Sequence, residues 1–205
     1  MMARGRFISF EGVDGAGKST QVHAVAAALQ ARGLDFIVTR EPGGTPLGEA
    51  VRSLVLGQEM APMTETLLMH AARSEHVLQV IAPALAAGKW VICDRFADAS
   101  YAYQGYGRGV PLERLAQLGA WVQAGQQPDL TVLVDVAPAE AQRRRERARA
   151  ADRFEKESLD FFERVRAGYG ARAAAEPHRF LLIDGGIEAP VLTQTILQRL
   201  AAWLP

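Results

Sequence analysis

Phe7-Ile8-Ser9-Phe10-Glu11-Gly12-Val13-Asp14-Gly15-Ala16-Gly17-Lys18-Ser19-Thr20 is the stretch that decides the fold. Apolar residues alternate from Arg6 to Phe10 and predict a strand, and from Lys18 to Arg32 the residues Val22, Val25, Ala26 and Leu29 recur at helical spacing. Between them Gly12, Val13, Asp14, Gly15, Ala16, Gly17, Lys18 and Ser19 match GxxxxGK[ST]. Glycines let successive backbone N–H groups turn inward around phosphate oxygens, and the helix start adds its positive dipole end. Lys18 then reaches the β- and γ-phosphates of ATP, and the Ser19 hydroxyl is a ligand for Mg²⁺. A chance match is improbable at average glycine usage, and the strand and helix flanks make it more so.

Working outward, Phe36 to Thr39, Trp90 to Cys93, Leu130 to Val136 and Phe180 to Ile183 are short runs rich in β-branched, aromatic and other apolar residues. Helix-period segments separate them: Leu47 to Leu56, Thr64 to Ala87, Leu112 to Ala124, Pro138 to about Arg149, Ser158 to Ala175 and Ala189 to Trp203. This alternation predicts an α/β fold, a parallel sheet with helices on both faces. Three polar connections remain as candidate functional loops: Glu41 to Pro46, Ala97 to Gly109 and about Arg145 to Phe154. In such sheets ligands sit outside the carboxyl ends of the strands, where the Gly12, Glu41 and Asp94 loops all begin.

A chain of 205 residues, 49% apolar, suits one domain with a substantial core. Lys plus Arg equal Asp plus Glu at 23 each, so no net field draws the chain to nucleic acid or to an acidic membrane. The single cysteine, Cys93, cannot form an intramolecular disulfide, which suits a reducing cytoplasm. Neither an export signal nor a membrane span is expected from the apolar patterning. A guanine-nucleotide switch would need an NKxD segment, and the sequence contains no asparagine. The basic run Arg143, Arg144, Arg145, Arg147 and Arg149 lacks interleaved aromatics and reads as a solvated helix face, not a nucleic-acid surface.

Four further segments gather around the same crevice: REPGGT at 40–45, LLMHAAR at 67–73, DRFADASYAYQG at 94–105 and DRFE at 152–155. With FEGVDGAGKST at 10–20 they closely resemble the bacterial type of the thymidylate kinase family, over nearly the whole chain and in the same order. The resemblance implies a P-loop nucleoside-monophosphate kinase fold with a five-stranded parallel sheet. It also implies a lid at about 143–155, phosphoryl transfer from ATP to dTMP, and a homodimer.

The resemblance further implies roles for particular residues. Asp94 would hold Mg²⁺ through water, with Ser19 as direct ligand, and Arg95 would clamp a phosphate. Arg73, one helical turn after Met69, would meet the phosphate end of the acceptor while Met69 packs on the base, where much of the family has an aromatic. His70 is a second candidate at the pocket edge. Ser100, Tyr103 and Gln104 would contact the pyrimidine edge and the sugar, Tyr103 excluding a ribose hydroxyl. Arg52 would reach the acceptor side, and Glu41 would organise either Mg²⁺ or an acceptor-side arginine. Because Gly15 follows Asp14, no arginine projects from the phosphate loop, and Arg153 of the lid is expected to act as an arginine finger in cis, with Phe154 near the acceptor. Arg144, Arg147 and Arg149 are candidates to face the adenine.

Overall fold

The computed structural model describes residues 4–146 and 153–204, without the side chains of 145 and 146. Five strands, β1 (Phe7–Glu11), β2 (Phe36–Arg40), β3 (Trp90–Asp94), β4 (Leu130–Asp135) and β5 (Phe180–Asp184), form one sheet in the order β2-β3-β1-β4-β5. Every neighbouring pair is parallel, with Ile8 beside Ile92 on one flank and Leu130 on the other. The central strands are buried on both faces, as continuous runs such as Phe-Ile-Ser-Phe predict. On one face Ile8, Phe10, Ile92 and Val132 pack with Val25, Leu29 and Ile196 of the helices α1 (Lys18–Gln30) and α9 (Ala189–Leu200). On the other, Phe7, Val91 and Cys93 pack with Val77, Ile81 and Leu85. Strand alternation thus divides the apolar residues between two cores.

The remaining helices are α2 (Pro46–Gly57), α3 (Pro62–His76), α4 (Ala82–Ala86), α5 (Ala97–Ser100), α6 (Leu112–Val122), α7 (Pro138–Glu146) and α8 (Leu159–Ala175). Local chemistry fixes several of their starts. Thr45 Oγ1 accepts from the Gly48 N–H at 2.9 Å ahead of Pro46, and Ser158 Oγ accepts from the Phe161 N–H at 3.2 Å. The long helix expected over 64–87 widens into a π-helical turn at Val77–Ile81 before continuing as α4. Pro83 has no N–H to return to Gln79, so the ladder loses a rung at this point.

The expected loop over 97–109 is the clearest departure from the sequence reading. Ala97–Ser100 is helical and Tyr101–Gly107 continues it as a π-helix. Its glycines read as breakers in sequence, yet here Gly105 permits close packing on α6 (Leu112–Val122) and Gly107 on α8. A Cβ on Gly107 would lie 2.6 Å from the Phe161 ring, and one on Gly168 would lie 2.9 Å from Tyr106. Helix contact pays the propensity cost, and the segment carries its polar side chains on a rigid element.

His70 on α3 is 3% exposed and its Nδ1 lies 2.8 Å from the Thr66 carbonyl, one turn back. Burial, and then the neighbouring Arg73, push its pKa down to about 4. A histidine depressed in the folded state but ordinary in the unfolded one makes stability fall as pH drops from about 6.5 toward 4. Urea unfolding at pH 7.5 and pH 4 should therefore show the parent losing on the order of 3 kcal/mol more than His70→Asn, whose amide keeps the bond to Thr66. Equal losses would mean that His70 is not held neutral by the fold.

Candidate active site

The phosphate loop lies between the end of β1 and the start of α1, where the β4 backbone crowds it. A Cβ on Gly12, which has φ +134°, would stand 2.3 Å from the Val134 carbonyl oxygen. Gly17 caps α1 in the left-handed conformation without any side-chain hydrogen bond, so the first-turn N–H groups stay available to an anion. Lys18 is folded into its own loop, Nζ donating to the carbonyls of Gly12 at 3.0 Å and Val13 at 3.1 Å. Burial, then Arg95, lower its pKa. Phosphate oxygens are the natural replacement for those two carbonyls.

Two clefts open here. One, of about 1070 Å³, is lined by Gly15, Gly17, Lys18, Ser19, Asp94 and Arg144 among others. The other, of about 650 Å³, is bounded by Leu56, Met69, Arg73, Phe96, Tyr103, Gln104 and Phe154 among others. Asp14, Glu41, Arg52 and Arg95 line both. The first is polar and cationic around the phosphate loop, while the second combines apolar faces with a few polar groups, the character of a pocket for a flat ring. Two arginines stand at their junction.

Arg95 occupies a left-handed backbone conformation, φ +72°, which only strong surroundings impose on a side chain of this size. Its N–H donates to the Phe10 carbonyl at 2.9 Å, tying it to the end of β1. Its guanidinium donates to Tyr169 Oη at 2.7 Å, Asp14 Oδ1 at 2.8 Å and Tyr103 Oη at 3.0 Å. Burial alone would raise the Asp14 pKa, but Arg95 and Lys18 outweigh it and hold the carboxylate well below its usual range. Tyr169 Oη in turn donates to Glu11, whose other oxygen accepts from the Phe96 N–H at 2.7 Å. Burial, with Asp98 adding repulsion, pushes the Glu11 carboxyl up. Glu11 therefore organises the wall behind the pocket rather than touching it.

Arg73 is 3% exposed. Nε donates to Glu41 Oε2 at 2.7 Å, and Nη2 to the Phe96 carbonyl and to Ser100 Oγ. Glu41 also lies 3.1 Å from His76 Nδ1. Glu41 thus holds the Arg73 guanidinium from one side. Ser100 lines the pocket too, but its hydroxyl is engaged by Arg73. Tyr103 Oη donates to Asp14 Oδ2 at 3.1 Å while its ring edge faces Phe154. Arg52 donates to the Pro42 carbonyl at 3.2 Å from the junction of the clefts. His70 is buried on α3 and is not among the residues that line the pocket.

Among the described residues, four buried side-chain atoms have no hydrogen-bond partner: Arg73 Nη1, Asp94 Oδ1, Gln104 Oε1 and Arg108 Nη2. The first three belong to residues lining the two clefts, where a ligand would satisfy them. The pocket residues thus offer one free donor, on Arg73, and one free acceptor, on Gln104.

Arg153 is not where the sequence reading puts it. Its Nε donates to the Val55 carbonyl at 2.8 Å and its Nη2 to Glu65 Oε2 at 2.6 Å, and its backbone N–H to the Leu56 carbonyl. It lines a separate cleft with Glu59, Met60 and Arg108, away from Lys18. The cause is Glu65, a carboxylate with 0% exposure that requires cationic partners. Phe154 turns the opposite way, into the pocket, with Arg153 4.4 Å over its ring. Arg144 lines the phosphate cleft instead, Nη1 donating to the Gly185 carbonyl at 3.0 Å. Arg147, Arg149 and Asp152 lie outside the described residues. The sequence reading passed over Glu65, Tyr169 and Phe96. Only the spacing of Glu65, four residues before Met69 on α3, pointed to one of them.

The family model described as thymidylate kinase matches residues 10–196. A thymidylate kinase of Thiobacillus denitrificans is 59% identical over 184 residues, covering 90% of each chain. One from Methylobacillus flagellatus is 54% identical over 194 residues, covering 95% of this chain and 96% of the relative. The crystal structure of thymidylate kinase from Ehrlichia chaffeensis superposes with a TM-score of 0.79 at 35% identity, covering 96% of this chain and 99% of the other. Taken with the phosphate loop, the five-stranded parallel sheet and the paired clefts, these matches show that the chain belongs to the thymidylate kinase family.

Proposed function

We propose that the chain transfers the γ-phosphoryl group of ATP to dTMP, giving dTDP and ADP. The observation that carries this reading is the shared border of the two clefts, where Asp14, Glu41, Arg52 and Arg95 line both the phosphate-loop side and the pocket bounded by Met69, Phe96 and Phe154. Two phosphorylated ligands seated in them would meet end to end. The acceptor is already an anionic phosphate oxygen, so no general base is needed, and the barrier lies in bringing like charges together in line. Lys18, Arg95, Arg52 and Arg73 supply the positive charge, fixed before the substrates arrive. The free Arg73 donor and Gln104 acceptor suit a ring edge that carries a carbonyl beside an N–H, as thymine does. Tyr103 lies against the sugar in this reading and sterically disfavours a 2′-hydroxyl.

The residues also suit Mg²⁺. Asp94 ends β3 with a buried carboxylate oxygen lacking any partner, and Ser19 stands in the same cleft. A hydroxyl, a carboxylate, phosphate oxygens and water are the donors that Mg²⁺ prefers. When bound, the ion would offset charge on the donor phosphates. Segment 143–155 reads as a lid of the single domain, with Arg144 its described cation at the phosphate cleft. A homodimer is supported by apolar side chains on neighbouring helices, Leu67 of α3 at 50% exposure and Trp121 of α6 at 83%. No helix among the described residues is long and apolar enough to cross a membrane. With the lone cysteine buried and free, that suits a cytoplasmic enzyme.

The direct assay is ATP and Mg²⁺ with a panel of nucleoside monophosphates, following ADP release and the diphosphate formed. dTMP should be the best acceptor, dUMP weaker by about tenfold for the missing methyl, and dCMP and CMP far behind. A preference for CMP or UMP would replace the reading with a different pyrimidine kinase.

Arg153→Lys separates a clasp from a finger. Since the guanidinium holds Glu65 and Val55 and not the phosphate cleft, the lysine should raise KM for dTMP several-fold and leave kcat within about threefold. A tenfold or larger loss of kcat at unchanged KM would restore the finger.

A further inference from the structure

A glutamine amide is nearly symmetric in shape and opposite in polarity at its two ends, so a free one serves an N–H or a lone pair on a ligand equally well. Gln104 is not free. It is 1% exposed, and its Nε2 donates to Glu65 Oε1 at 2.9 Å. Glu65 Oε2 accepts from Arg153 Nη2 at 2.6 Å and lies 3.5 Å from Arg108 Nε. A carboxylate facing two guanidinium groups only accepts, so the Gln104 atom turned toward it has to be the NH₂. Reversing the amide would set a carbonyl oxygen against a buried carboxylate. The other end, Oε1, is left buried and without a partner on a residue of the pocket wall.

We infer that Glu65 is a positioning residue for base selection: it fixes the Gln104 amide with its acceptor end toward the ligand, so that the pocket reads an N–H on the ring edge. The inference rests on the dTMP reading above. A thymine or uracil ring carries an N–H at ring position 3, while cytosine carries a lone pair there. Two acceptors then face each other, and neither can turn. Glu65 never touches the substrate. It acts through Gln104, and Arg153 and Arg108 act through it by holding its charge in a site with 0% exposure. Three segments distant in sequence thus set one hydrogen bond: the start of α3, the π-helix after β3, and the end of the segment 143–155.

Glu65→Gln tests this because it is isosteric and its consequence is directional. Arg153 will claim the new amide oxygen, so the new NH₂ faces Gln104. Gln104 then turns its Oε1 toward it and presents Nε2 to the pocket. The substrates to compare are dTMP and 5-methyl-dCMP, which share the methyl group and differ in edge polarity. In parent and variant, kcat/KM is measured for both. The ratio favouring dTMP should fall at least about tenfold, through KM for the nucleoside monophosphate, with KM for ATP unchanged. An unchanged ratio in a folded, active variant overturns the inference. Should Glu65→Gln fold poorly, Glu65→Asp decides. Its carboxylate is one methylene short of Gln104, so the ratio should fall by a smaller factor, and no fall overturns the inference equally. If the parent itself does not phosphorylate dTMP, the functional reading has failed instead.

Discussion

The buried guanidinium of Arg95 is the constraint on which the site depends. Taking a fixed charge out of water is costly unless its donors find acceptors, and here Asp14, Tyr103 and Tyr169 supply them within 3.0 Å. Each comes from a different element: the phosphate loop, the π-helix after β3, and α8. The left-handed backbone at Arg95 turns its side chain into this position directly after the last residue of β3. One residue therefore sets the distance between the loop that holds phosphates and the helix that lines the second pocket. Glu11 extends the same network backward through Tyr169 to the Phe96 N–H, so the wall behind the pocket is fixed by groups that face no ligand.

Charge follows a consistent plan. Arg73, on the wall of the second cleft, is paired on one side and open on the other. Arg73 spends Nε and Nη2 on Glu41, Phe96 and Ser100 and keeps Nη1 unpartnered. Such preorganisation places positive charge before substrates arrive, and reorganisation at the moment of transfer is then small. The apolar residues beside these groups, Met69, Phe96 and Phe154, exclude water and strengthen each interaction.

The phosphate loop was legible in the sequence because its mechanism is written into backbone: glycines at fixed spacing between an apolar strand and a helix. The sheet was legible for the same reason, since short buried strands and periodic helices follow from local pattern. Residues 97–107 were not, because the glycines that signal a loop serve here as contact points against α6 and α8, a tertiary effect without local signature. The place of Arg153 beside Glu65, and not in the phosphate cleft, has no signal in the sequence. Its partner Glu65 lies 88 residues away, and a pairing over that separation leaves no periodicity to read. The polarity of Gln104 was hidden for the same reason: a glutamine shows what it can offer, but only its neighbour decides which end it offers.

The central claim is that two nucleotide sites share one border and hold their phosphate chains end to end. Calorimetric titration with a single molecule joining adenosine and thymidine through five phosphates at their 5′ positions tests it most directly. The account predicts one molecule bound per chain in the presence of Mg²⁺, at a Kd at least about a hundredfold below that of ATP alone, with most of the gain lost when cytidine replaces thymidine. Affinity no better than that of ATP would contradict it, since the second cleft would then not be aligned with the first.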